Sequence, residues 1–322
     1  MRSLPLLFLL AVASPAAAVT LVPGELIVAD DQAAGGTLFA VDPATGAQTP
    51  IVSGHPFGAV ATAPDGTIWA GAGNQLGRVD PETGTFTPVA AGTVVQNAWG
   101  MAVGRSGAVF VADQFAINPC GNGGNVSQVD PGSGAETIVF CVHPHPTDVV
   151  AEASDSLLVV SSVWGLVRLD PVTGASSGGI QGYRIFVAKS AIFQPRAVAA
   201  RADGGLVCTS YAGSDPLAKA VLVVDPVTGS WDYLSRGGNL VDPQGVAVAA
   251  DGSYLVADGQ ALPDGSGGVG AIVKVDPVLG TQTVISSAGA FRHPVRVAVY
   301  RVRNGTVPAL SATWGSVKDR YR

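Results

Sequence analysis

Three of the four histidines, His55, His145 and His293, stand immediately before a proline that opens a recurring motif. A neutral imidazole can ligate a metal, and either ring nitrogen can hydrogen-bond a ligand. Asn97, Gln194 and Asp242 hold the same place in the surrounding sequence pattern. All six side chains are polar, and all can ligate or hydrogen-bond. His55, His145 and His293 with the Asp242 carboxylate form a candidate donor set for a divalent metal, Zn²⁺, Mn²⁺ or Ca²⁺. The plainer expectation is a polar rim at a wet opening. Just beyond the prolines lie Phe57, Trp99, Thr147, Arg196, Gln244 and Val295. Phe57 and Trp99 would give an apolar wall beneath the rim. Polar rim plus apolar wall suits a small organic ligand, or the end of a peptide or glycan. The same wall would also serve as packing that closes a channel.

What positions these residues is an internal repeat. A turn recurs as V-D-P-A-T-G from Val41, V-D-P-E-T-G from Val79 and V-D-P-G-S-G from Val129. It returns as L-D-P-V-T-G from Leu169, V-D-P-V-T-G from Val224 and V-D-P-V-L-G from Val275. Asp-Pro initiates a turn, and the closing Gly supplies a positive φ. Between these turns lies a second motif, seen best in Pro243-Gln244-Gly245-Val246-Ala247-Val248, Asp251-Gly252 and Tyr254 to Asp258. Its equivalents start at Pro56, Ala98, Pro146, Pro195 and Pro294. Each unit reads as strand A, a short turn, strand B, strand C, the Asp-Pro turn and strand D. Six such units predict an all-β, six-bladed β-propeller of four-stranded antiparallel blades. The first strand, Leu26 to Asp30, has B character, and the last, Pro294 to Tyr300, has A character. The two are expected to close one blade, which removes an open sheet edge.

Composition narrows the class. Hydrophobic residues make up 47% of the 322 residues and charged ones only 13%, which excludes a disordered chain. The net charge of −6 excludes a nucleic-acid partner as the main one. Arg2, an apolar run from Leu4 to Val12 and Ala16-Ala17-Ala18 predict a signal peptide over 1–18. The run is too short to span a bilayer, and no transmembrane segment is expected. The propeller is expected over 19–305 and a tail over 306–322. Export would make the chain secreted or periplasmic, with cell-surface attachment open, and would permit disulfides. Cys120 and Cys141 are expected to pair, worth about 3 kcal/mol, with Cys208 a buried free thiol. The G-x-S-x-G match at Gly174 to Gly178 follows an Asp-Pro turn rather than a strand-to-helix elbow, so it reads as turn composition.

The pattern P-x-G-V-A-V…D-G…Y-L-V-A-D resembles the NHL-repeat and SMP-30-like six-bladed propellers. Pro56-Phe57-Gly58, Asp65-Gly66-Thr67-Ile68-Trp69 and Asn74-Gln75-Leu76-Gly77-Arg78-Val79 resemble virginiamycin B (streptogramin) lyase repeats. The resemblance covers roughly Gly24 to Tyr300 and implies the propeller fold. In those families catalytic or metal-binding groups fall between the Pro and Gly of strand A. Here those six positions hold no His and no carboxylate, so the resemblance does not carry their active sites over. In the tail, Trp314, Val317 and Tyr321 have helical spacing, with Thr313 as a possible N-cap. The tail also resembles the Trp-Gly…Lys…Tyr-Arg ends of some exported bacterial proteins.

The A–B and C–D turns share one face of such a propeller, and the B–C and D–A loops share the other, here called the top. The bottom turns are short and stereotyped, while loop length varies on the top. Variable loops on a rigid scaffold are where binding resides. The sequence therefore predicts an exported, monomeric binding module that takes a small molecule, glycan or protein at its top face. The rival expectation is a metal-dependent hydrolase or lyase, lactonase-like or streptogramin-lyase-like, with its site at the channel mouth. The aspartates that end B strands, Asp30, Asp113 and Asp258, are expected to cap loops, with Ca²⁺ binding as the alternative.

Overall fold

The structure is a computed structural model. It describes residues 18–92, 94–115, 124–141, 145–152, 156–162, 165–172, 194–211, 219–261 and 269–301, and the backbone alone of 184–188. The expected signal peptide up to residue 17, Cys120, His143, the G-x-S-x-G stretch and the tail from 302 lie outside the described residues.

Six four-stranded antiparallel sheets stand in a ring. Blade one is assembled from both ends of the chain. Its strand A is Pro294–Val299 and its strands B to D are Leu26–Asp30, Thr37–Val41 and Gln48–Ser53. Leu26 pairs with Val299 and Val28 with Val297, so the two ends close one sheet. The innermost strands of blades two to six are Phe57–Thr62, Ala98–Val103, Pro146–Ala151, Pro195–Ala200 and Pro243–Val248. Each packs beside its neighbours, and the strand A of blade one closes the ring between blades six and two.

Blades pack face to face, so an inner strand is covered on both sides and needs apolar residues on both. The B strands show this: Leu26–Asp30, Val109–Asp113, Leu157–Ser161 and Tyr254–Asp258 are buried along their whole length. Each fully buried Val or Leu there stabilises the fold by ~1.5–3 kcal/mol. The outer D strands, such as Gln48–Ser53, alternate and reach solvent.

The Asp-Pro turns form as their chemistry dictates. Asp42 Oδ1 accepts from the Ala44 N–H (2.8 Å), the Thr45 hydroxyl donates to Oδ2 (2.7 Å), and Gly46 closes the turn at φ 73°. These bonds hold the exposed Asp42, Asp80 and Asp130 carboxyls below their ordinary range.

Among the described residues no helix is long and apolar enough to cross a membrane. Cys141 is disulfide-bonded, while Cys208 is free and buried. Burial pushes the Cys208 thiol far up, so it is an inert core residue.

Candidate functional site

The top of the channel is built on three buried aspartates that end B strands. Asp30 Oδ2 accepts from the N–H groups of Arg292 (2.6 Å) and His293 (2.9 Å), and its Oδ1 from Gln32 and Ala33. Asp258 takes the N–H groups of Val241, Asp242 and Gln260. Asp113 takes those of Gln96, Asn97 and Phe115. Each carboxylate thus ties the loop entering strand A to the loop leaving strand B. The expected loop-capping role is what their donors describe. Burial pushes Asp258 up to about 6, because its three donors only partly offset desolvation.

The residue after each B strand then fixes the rim. Asp31, Ser162, Tyr211 and Gly259 donate their N–H groups to the carbonyls of His293, His145, Gln194 and Asp242. The four rim residues of blades one, four, five and six therefore sit at one level.

Among the described residues one pair of expected rim side chains meets. His293 Nε2 lies 3.3 Å from Asp242 Oδ2, and its Nδ1 lies 2.8 Å from Asp31 Oδ1. Gln244 Nε2 donates to the other Asp242 oxygen at 2.7 Å. Gly259 makes this fit possible, since a Cβ there would stand 2.5 Å from the His293 ring. Asp242 and Asp31 together raise His293 to about 10, so the ring is an imidazolium at neutral pH. Burial pushes Asp242 up, but the bonds from His293 and Gln244 outweigh it and hold the carboxyl below its ordinary range. Arg196 adds positive charge beside Asp242, and its guanidinium lies 5.2 Å from the Tyr211 ring centre. Lys219 lies 5.4 Å from the same ring.

The other expected rim residues do not join. His145, at φ 56°, points Nδ1 at the Gln114 carbonyl (3.1 Å) and sets its ring against Phe115. Asn97 and Gln194 are held by their backbone N–H groups, to Asp113 and to the Ser210 hydroxyl. His55 packs on the rings of Phe57 (5.6 Å) and Phe86 (5.1 Å). Its displacement has a simple cause. Pro56 to Asp65 is one residue longer than Pro195 to Asp203 or Pro243 to Asp251. Counted back from the turn, strand A of blade two begins at Phe57, which pairs with Ala72 as Ala98 pairs with Asp113. Pro56, not His55, holds the rim position. Phe57 is 0% exposed and packs on Phe86 between blades, so it is no wall of the mouth. Trp99 is half-buried at the bulge of its strand.

The proposed ligand set His55, His145, His293 and Asp242 is therefore not assembled. Among the described residues no three His, Cys, Asp or Glu side chains are grouped to hold a metal ion. Both ring nitrogens of His293 are engaged by carboxylates, Nδ1 by Asp31 and Nε2 by Asp242.

Below the mouth the channel has a floor that reading from the prolines missed. The third residue of strand A is Ala59, Gly100, Asp148, Ala197, Gly245 and Arg296 around the ring. Two charges replace small residues, in opposite blades four and one. Arg296 is 5% exposed and Asp148 7%. Arg296 crosses the channel and donates to the Thr147 carbonyl (2.6 Å), and also to those of Val295 (2.8 Å) and Gln244 (3.2 Å). Asp148 accepts from the N–H groups of Val149 and Val198, both at 3.0 Å. Gly100 leaves room for it, as a Cβ would come 2.4 Å from Asp148 Oδ1. Burial pushes Asp148 up to about 6 against the pull of Arg296.

No protein-family model and no curated protein matches the chain. Solved structures share the fold. A chain in the nidogen/laminin complex matches with TM-score 0.65 at 11% identity, covering 86% of this chain and 98% of that one. TolB from Acinetobacter baumannii matches at 0.63 and 13%, covering 86% and 67%. A protein of unknown function from Bacteroides caccae matches at 0.61 and 15%, covering 88% and 100%. At these identities the likeness is one of β-propeller architecture.

Asp31, Gly259 and Tyr211 were not expected at the site, and Gln244 was placed just beyond its proline without a role there. Asp31 could have been found as the second carboxylate of Ala29-Asp30-Asp31, and Tyr211 as the aromatic at the same step of blade five.

Proposed function

We propose that this chain is an exported binding module that takes its ligand or partner at the top of the channel, over blades five, six and one. The observation that carries this reading is the pre-formed cluster Asp31–His293–Asp242–Gln244, with Arg196 and Tyr211 beside it. Its planar donors and acceptors, already held in place, suit a hydroxyl-rich glycan or a small polar molecule, with the Tyr211 ring as an apolar surface. The Arg296 bridge beneath gives the mouth a floor, so a ligand enters from above and stops there. Export is supported by the Cys141 disulfide. Among three cysteines with Cys208 free, Cys120 is its proposed partner. The nidogen/laminin match concerns a propeller in a protein complex, which agrees with a partner-binding role.

Glycan arrays probed with the labelled protein and with His293→Gln and Asp242→Asn test this. Each variant is expected to weaken binding about tenfold or more while still melting cooperatively. Binding unchanged in both variants would overturn the placement.

A further inference from the structure

The lower half of the channel is a second, differently built cavity of about 380 Å³. Its walls are the fourth residues of the six A strands, Val60, Met101, Val149, Val198, Val246 and Val297, with the residues that follow them, alanine or valine save Thr62. At ~3.3 Å per residue, the three positions below Asp148 make it roughly 10 Å deep. Arg301 and Pro64 stand at its lower rim. Its inner end is closed by the two charged side chains, Asp148 and Arg296.

That inner end is incompletely satisfied. The buried Arg296 Nε–H has no partner. Arg296 and Asp148 attract one another, yet no direct ion pair joins them. Each Asp148 oxygen receives one backbone N–H and keeps a free lone pair. An unpaired buried donor and a buried acceptor therefore both line the inner end of the funnel. An unmade bond at such a depth is costly, and a group that makes it gains accordingly.

We propose that the funnel binds a slender apolar chain ending in a neutral head that both accepts and donates, a primary amide or an alcohol. The head's oxygen accepts from Arg296 Nε–H, and its N–H or O–H donates to Asp148. The chain lies along the valines and alanines. The charges explain the preference for a neutral head. A carboxylate would face Asp148, and an ammonium would face Arg296, whereas a dipole satisfies both. This site is separate from the mouth above and does not rest on the reading given to it.

Methyl NMR of the wild-type protein titrated with octanamide, octanol, octanoate and octylamine tests the proposal. The buffer should lie well above 6, so that Asp148 is ionised. Octanamide and octanol are expected to shift the Val149, Val198, Val246 and Val297 methyls and to bind about tenfold more tightly than the two charged chains. The relative strength of octanamide and octanol tells which neutral head the site prefers. Equal binding of all four would reduce the funnel to an unselective apolar patch and overturn the proposal. So would the absence of any shift at those methyls. Ala199→Phe, which fills the funnel, is expected to abolish the octanamide shifts while the His293 ring signals stay unchanged. Octanamide shifts that persist in that variant would place the chain elsewhere.

Discussion

The two halves of the central channel are made by the same six strands, yet they follow opposite rules. The lower half repeats itself: valine or methionine at the fourth position and alanine or valine at the fifth in every blade. The upper half differs in every blade, and its charges gather on blades five, six and one. The difference is instructive. In the lower half the fourth residues are buried in the apolar clusters between neighbouring blades, so an odd residue there would leave a void or a clash. At the mouth, the loop-holding aspartates fix the backbone independently of the rim side chains, which leaves those free to vary. Arg296 and Asp148 mark the boundary between the two regimes.

The largest effect on this division comes from removing strand A of blade one. That strand supplies Arg296 and Val297, and its entry supplies His293, so it serves both halves. Ending the chain at Phe291 is expected to abolish cooperative thermal melting, because blade one loses its inner strand and exposes an edge. A truncated chain that melts as the full one does would show that the ring does not depend on this closure. Next in size is the boundary itself. Arg296→Met leaves Asp148 buried without its counter-charge and frees three carbonyls, so a loss of about 3–5 kcal/mol is expected in denaturant melts. Adding Asp148→Asn should recover part of that loss, since the stranded charge is then gone. A double variant less stable than Arg296→Met alone would mean that Asp148 is held by its backbone donors and not by Arg296.

The architecture was legible in the sequence because its determinants are local. Asp-Pro…Gly turns and alternating strands recur six times, and the B-type start and A-type end complement each other. Part of the mouth was legible too, since Asp242 and His293 hold equivalent repeat positions in adjacent blades. What escaped depends on counting rather than on motif. The Pro-x-Gly pattern put Phe57 and His55 in register with the other blades, but strand pairing is set from the Asp65-Gly66 turn and moves both by one place. A one-residue shift sends a side chain to the opposite face. Asp148 and Arg296 stand where the pattern has a small residue, one step past the positions that the resemblance made conspicuous. Their partnership across the ring also needs the closed circle of blades, because 148 positions separate them.

The smallest perturbation is also the most direct test of the mouth, a change of pH. His293 is raised to about 10 by Asp242 and Asp31, above the ordinary histidine value near 6.5. The folded state therefore holds a proton that the unfolded chain releases between those values. The stability this contributes is complete below about 6.5 and is lost as pH rises through 10. The decisive measurement is an NMR titration of the His293 ring in the folded protein, with His293→Gln used to assign its signals. The account predicts a ring that stays protonated through neutral pH and titrates near 10, with a melting temperature that falls over the same range and falls less in Asp242→Asn, where Asp31 alone still holds the proton. A His293 that titrates near 6.5, with melting indifferent to pH above it, would contradict the charged clamp and with it the pre-formed site.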